Sequence, residues 1–323
     1  MKTLLLFLVL FNLSATISFG QDSLSRHNKV SAVRFISHDY DNDVFTNTDY
    51  YYTQGVRYEL VFPYLQNSSV HFVLPGFRHL SVNYYGVTWE QKCYTPTSLK
   101  SDTVLRGDRP YASVLYSGRF RVSNDELHHQ RMKTEIDLGL TGHCALCDDE
   151  QKAIHRALVD QQPLGWGTQI RQDLILNYSI AYDKGVVNTK YVQCVLQGKV
   201  DVGSLYDRAI AGGMIRAGKM CSYFSLYGPG ENEASKKVLC YGFIKGWVQG
   251  VGYDATLQGG LFDRNNVYVI SDKNVERLVY GYQYGIVFSY RKLSLQYALV
   301  HITPEFSSGR VHAWGHINIS VAF

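Results

Sequence analysis

Residues 311–323, VHAWGHINISVAF, repeat with a period of two. Val311, Ala313, Gly315, Ile317, Ile319, Val321 and Phe323 are apolar or small, with His312, Trp314, His316, Asn318 and Ser320 between them. That spacing is a strand with one greasy face and one mostly polar face. In water, such an edge strand invites aggregation. A closed barrel has no edge, and lipid takes the apolar row on the outside. The pattern predicts a strand of a membrane barrel.

The alternation recurs. Val56, Tyr58, Leu60 and Phe62 point one way, and Thr53, Gly55, Arg57 and Glu59 the other. Segments near 29–37, 52–64, 79–91, 111–124, 131–141, 173–184, 189–200, 207–218, 239–254, 277–290, 292–302 and 311–323 predict an all-β, antiparallel transmembrane barrel of about twelve strands. The ending on Phe323 resembles the closing strand of bacterial outer-membrane barrels. The 25 Tyr, against 15 Phe and 4 Trp, suit girdles where a barrel wall meets headgroups.

Lys2 is the only charge before Asp22, Leu4 to Phe11 is unbroken apolar sequence, and Ser18 and Gly20 are small. Residues 1–20 therefore read as a secretory signal peptide, cleaved before Gln21, and 21–323 as a single outer-membrane barrel domain. No later stretch reaches the roughly 18 apolar residues of a spanning helix. The net charge of +4, or +3 without Lys2, is too small to argue for a nucleic-acid partner. No obligate protein partner is evident.

With both ends in the periplasm, connections after odd strands face outward, near 38–51, 92–110, 142–172, 201–206, 255–276 and 303–310. The chemically suggestive motifs fall in the first three. Asp39, Asp41, Asn42 and Asp43 form a hard-oxygen cluster, either a solvated loop tip or a cation site of the calcium type. Asp108 and Arg109 are expected to pair inside the barrel, as structure. Lys100 and Arg106 stand where they could meet an anionic ligand or simply face water.

The third motif runs from Asp148 to Val159 and predicts a short helix in an extracellular loop. Asp148 and Gln151 have capping-box spacing, and Ile154 and Leu158 make a short apolar stripe. Gln151 and His155, four apart, share a face. Histidine titrates in the range of a general base at neutral pH. No Gly-x-Ser-x-Gly elbow is present, and water activated by a histidine would need none; His155 is either such a base or a structural or solvent-exposed histidine. The helix imidazole and the acidic cluster are expected to converge above a common lumen. Cys144-x-x-Cys147 is a possible redox or metal pair, Cys221 and Cys240 could staple neighbouring strands, and the pairing stays open.

These motifs, in this order, resemble the outer-membrane lipid A 3'-O-deacylase family. The matching residues are Asp41-Asn42-Asp43, Tyr52-Thr53-Gln54-Gly55, Gly107-Asp108-Arg109-Pro110-Tyr111 and Gln151-x-x-x-His155-Arg156. Gly165-Trp166-x-x-Gln169-Ile170, Thr256-Leu257-Gln258-Gly259 and Thr303-Pro304-Glu305-Phe306 extend the match. The resemblance implies a twelve-stranded barrel that hydrolyses the ester of the 3'-acyloxyacyl chain of lipid A, with Ca2+. It implies His155 as base for water, Asp41, Asn42 and Asp43 around the cation, Asn42 and Asp43 polarising the carbonyl, and Thr53 assisting. Lys100 matches a residue that holds a lipid A phosphate, and Gln151 is placed with the substrate. It places the site at the extracellular rim of the outer membrane. Two rival readings are a non-enzymatic barrel, as pore or glycan binder, and a phospholipase-like esterase for another lipid.

Overall fold

The computed structural model describes residues 28–46, 50–159, 161–229 and 237–323; the signal segment 1–20 lies outside them. Twelve strands form the wall: β1 Phe35–Asn42, β2 Tyr51–Val61, β3 Val82–Thr95, β4 Ala112–Asp125, β5 Gln130–Thr141 and β6 Leu174–Asn188. The rest are β7 Val192–Gly203, β8 Tyr206–Lys219, β9 Leu239–Asp254, β10 Leu278–Tyr290, β11 Leu293–Ile302 and β12 His312–Ala322. Each pairs antiparallel with its sequence neighbour, and β12 pairs with β1, which closes the barrel. The predicted all-β barrel and its strand number are observed. A two-residue stretch, Lys29–Val30, adds a short parallel contact to Val82–Asn83.

The first strand starts six residues later than predicted, at Phe35, and takes in His38–Asn42, which had read as loop. The reason is the lumen. Asp39 and Asp41 face inward, opposite Asn318 and His316 of β12, so an acidic run is compatible with strand. Charges fill this interior. The Arg57 guanidinium of β2 reaches across to Glu135 of β5 at 2.9 Å, and Lys133 of β5 reaches Glu59 of β2 at 2.5 Å. From the end holding the termini, residues 220–229 fold inward, where the Tyr227 hydroxyl donates to Glu59 at 2.5 Å. Side chains thus fill the bore at this level. Outward residues such as Leu176, Ile180, Ile244, Ile286 and Ile319 are exposed, the apolar row a bilayer covers.

Strand polarity puts the long connections 43–50, 96–111, 142–173, 255–277 and 303–311 at the end opposite the termini. Three of them are tied by Arg109, which is 1% exposed. Its guanidinium bonds Glu305 and the Thr256 hydroxyl and stacks on Tyr94, while Asp108 accepts from the Thr97 backbone and hydroxyl at 2.9 and 2.6 Å. The expected Asp108–Arg109 pair is therefore replaced by Arg109–Glu305. Burial works against the charge of Arg109, but the Glu305 carboxylate holds the guanidinium above its ordinary range. Arg109→Ala strands Glu305 and should cost about 3–5 kcal/mol, read as a lowered unfolding temperature in detergent.

Candidate active site on the outer wall

The motif side chains divide between two faces of the wall. Asn42 lies opposite Gln54, and Gln54 opposite Cys93, so all three share one face. It is the outer one, because Arg57 and Asp39, of the other parity, bond into the lumen. Asp41 belongs to the lumen side as well, accepting from the Tyr52 hydroxyl at 2.9 Å and meeting His316 Nδ1 at 2.7 Å. A Cβ on Gly55 would stand 1.8 Å from that Tyr52 hydroxyl, which explains the glycine in the Tyr-Thr-Gln-Gly motif.

Thr53 occupies a β-bulge, where the register slips between Tyr52 and Gln54. The extra residue re-aims the side chain. The Thr53 hydroxyl meets that of Thr95 at 2.6 Å. Asn42 ends β1: its Oδ1 accepts from Val44 N at 2.9 Å and its amide donates to the Tyr40 hydroxyl at 3.1 Å. Asp43 follows in a 3-10 turn and is 2% exposed.

Helix α1, Cys147–Leu158, lies against this outer face. Gly142 opens its loop with φ +81°, and a Cβ there would be 2.5 Å from Gln172 N. A disulfide joins Cys147, the first helical residue, to Cys93 of β3. Gln54 Nε2 donates to Glu150 at 2.8 Å, Trp166 Nε1 donates to Gln151 at 2.7 Å, and Gln91 donates to Ala145 O at 2.7 Å. Leu99, Tyr111 and Trp166 pack around the disulfide. Burial pushes the Tyr111 phenol up to about 12, so it stays protonated at neutral pH.

The details of α1 differ from the sequence reading. Asp148 pairs with Lys152 at 2.6 Å and Gln151 turns to Trp166, so no capping box forms; the disulfide, not a cap, fixes the helix start. Ile154 is exposed, and the Leu158 side chain lies outside the described set. Cys144 is not joined to Cys147, and Cys221 and Cys240 are not bridged to each other.

His155 is half-buried on the same face as Gln151, and its Nδ1 is 2.6 Å from the Gln161 carbonyl. A carbonyl only accepts, so Nδ1 carries a proton in this contact, which in a neutral imidazole is the tautomer with its basic nitrogen at Nε2. That is the tautomer a general base needs. The helix and the opening hairpin therefore meet at one end of the barrel, but on the outside of its wall rather than above the lumen. Glu150, held by Gln54, sits over the register row in which Gln54 lies opposite Asn42. Glu150 was missed from sequence, since acidic residues in a first helical turn are already explained by the helix dipole.

Lys100 is exposed beside Leu99, whose carbonyl accepts from Leu164 N at 3.0 Å, so it borders the helical loop. Gln151 is buried and its Nε2 has no protein partner among the described residues. Among the described residues no three of His, Cys, Asp and Glu converge as metal ligands.

A family model described as outer membrane protein LpxR matches residues 4–323. The solved structure of LpxR from Salmonella typhimurium is similar over 90% of this chain and 100% of that one, with 16% identity and a TM-score of 0.73. The β domain of the Bordetella autotransporter BrkA aligns over 91% of this chain and 100% of that one, at 8% identity and a TM-score of 0.47. No curated protein matches by sequence.

Proposed function

The chain belongs to the LpxR outer membrane protein family, and on that premise we propose that it is a lipid A deacylase of the outer leaflet, hydrolysing the ester of the 3'-acyloxyacyl chain. The observation that carries the reading is the clamping of α1, with a tautomer-fixed His155, to the outer wall that bears Asn42 and Asp43. A site on the outside of the wall is open sideways to a lipid substrate, which a lumen site is not.

In this reading His155 Nε2 takes a proton from water, the water oxygen attacks the ester carbonyl carbon, and the C–O bond to the sugar breaks. The imidazolium returns the proton to the sugar oxygen, and the acyl chain leaves as its acid. The Asn42 amide, with one hydrogen used on Tyr40, has a second to offer the developing oxyanion. Thr53 orders the same end of the wall through Thr95.

The donors near Asn42 are all oxygens. The carboxylate of Asp43 and the second lone pair of Asn42 Oδ1, with Glu150 held by the Gln54 that lies opposite Asn42, would suit a hard, partly hydrated divalent cation such as Ca2+. When bound, it supplies positive charge for the polarised carbonyl. Asp41 is left out of this set because it faces the lumen. Lys100, at the rim, would meet a lipid A phosphate. Lys100→Ala should raise KM several-fold with kcat nearly unchanged, and the difference should vanish on dephosphorylated lipid A. The test of the function is the mass spectrum of lipid A from cells with and without the protein, which should differ by one ester-linked acyloxyacyl group.

A further inference from the structure

We propose that the Cys93–Cys147 disulfide is a positioning device for hydrolysis: it fixes the pivot from which α1 aims His155. This rests on the lipid A reading above and adds a dependence on the oxidised state.

Three observations converge on one register row of the wall. Cys93 lies opposite Gln54, Gln54 lies opposite Asn42, and Gln54 also holds Glu150 of α1. The covalent tie and the hydrogen bond thus grip the helix next to the residue proposed to face the carbonyl. Both grips, and that of Gln151 on Trp166, fall within Cys147–Gln151. His155 is eight residues beyond Cys147, about 12 Å along the helix axis at 1.5 Å per residue. A small rotation at the base is therefore magnified at the imidazole.

The approach to α1 is anchored short of the helix, at buried Ala145, whose carbonyl accepts from Gln91. It runs from Gly142 through a 3-10 turn to Leu146, which itself takes a left-handed conformation. Cys147 is fully buried under Leu99, Tyr111 and Trp166, so the link also seats that cluster. Asn42 and Thr53 belong to the barrel wall and Asp43 to the turn that follows β1, so none of them rides on α1. Losing the link should misaim the base while leaving Asn42, Asp43 and Thr53 in place.

A dithiol reductant supplies two electrons and two protons, the S–S bond breaks to two thiols, and the reductant becomes its own disulfide. The experiment compares purified full-length protein in detergent as oxidised, reduced and reoxidised samples, with alkylation and mass measurement counting thiols. Purified lipid A is the substrate. The expected result is a fall in kcat of about tenfold or more on reduction, since misplacement of order 1 Å is costly. KM should stay within about twofold of its oxidised value, as expected when only transition-state stabilisation is lost. Reoxidation should restore the rate, Cys240→Ser should respond as the wild type does, and Cys93→Ala/Cys147→Ala should resemble the reduced sample. A verified reduced sample or a folded double variant with undiminished kcat overturns the proposal, as does a change confined to KM. Oxidised protein that never deacylates lipid A removes the functional reading, and this inference with it.

Discussion

His155→Ala is expected to lower kcat on lipid A by about 10²- to 10⁴-fold, the range for removal of a general base. KM should change little, because the imidazole acts on water rather than on the bound lipid. The loss should not reflect unfolding. His155 lies on a loop helix outside the barrel ladder, and α1 is held by Cys147, Glu150 and Gln151. A folded barrel, checked by heat-modifiable mobility on gels, with full activity after His155→Ala would assign the base elsewhere.

The second large effect is expected at Asp43. Asp43→Asn should lower kcat by about 10²- to 10³-fold, the scale of losing one preorganised group at a developing oxyanion. Chelation of wild-type protein should give a loss of similar size. Calcium should restore the chelated wild type, whereas Asp43→Asn should need far more of the ion for the same fractional recovery, since one anionic donor is gone. Magnesium, which holds its waters and demands tighter octahedral geometry, should restore less. Activity indifferent to chelation would leave Asp43 as a buried structural carboxylate.

Much of the architecture was legible because the period-two pattern recurs along the chain, and an apolar row facing lipid calls for a closed barrel. The first strand was misplaced because Asp39 and Asp41 look like loop residues until a polar lumen is allowed for. The helix was legible, but its start was not. A disulfide between Cys93 and Cys147 depends on which wall position the loop crosses, and spacing along the chain does not carry that.

The candidates His155, Asn42, Asp43 and Thr53 came from the motifs and the family resemblance, and α1 and the opening hairpin lie at the same end of the barrel. Which side of the wall they occupy was not legible, since a side is defined by strand parity and a register slip of one residue exchanges the faces. The bulge at Thr53 is such a local slip, and it separates inward Tyr52 from outward Gln54. Arg109 was read correctly as structural and paired wrongly. Its partner Glu305 lies 196 residues away, in another motif of the same resemblance. That contact brings the Gly107–Tyr111, Thr256–Gly259 and Thr303–Phe306 motifs together: Arg109, Thr256 and Glu305 form one knot across three loops.

The most direct test of an ester-cleaving site on the outer wall is a time course of purified protein acting on purified lipid A with calcium, followed by mass spectrometry. The account predicts a lipid A product lacking the 3'-acyloxyacyl group, with one equivalent of the released acid. Intact lipid A throughout, or cleavage of phospholipid alone in a mixed micelle, would contradict it.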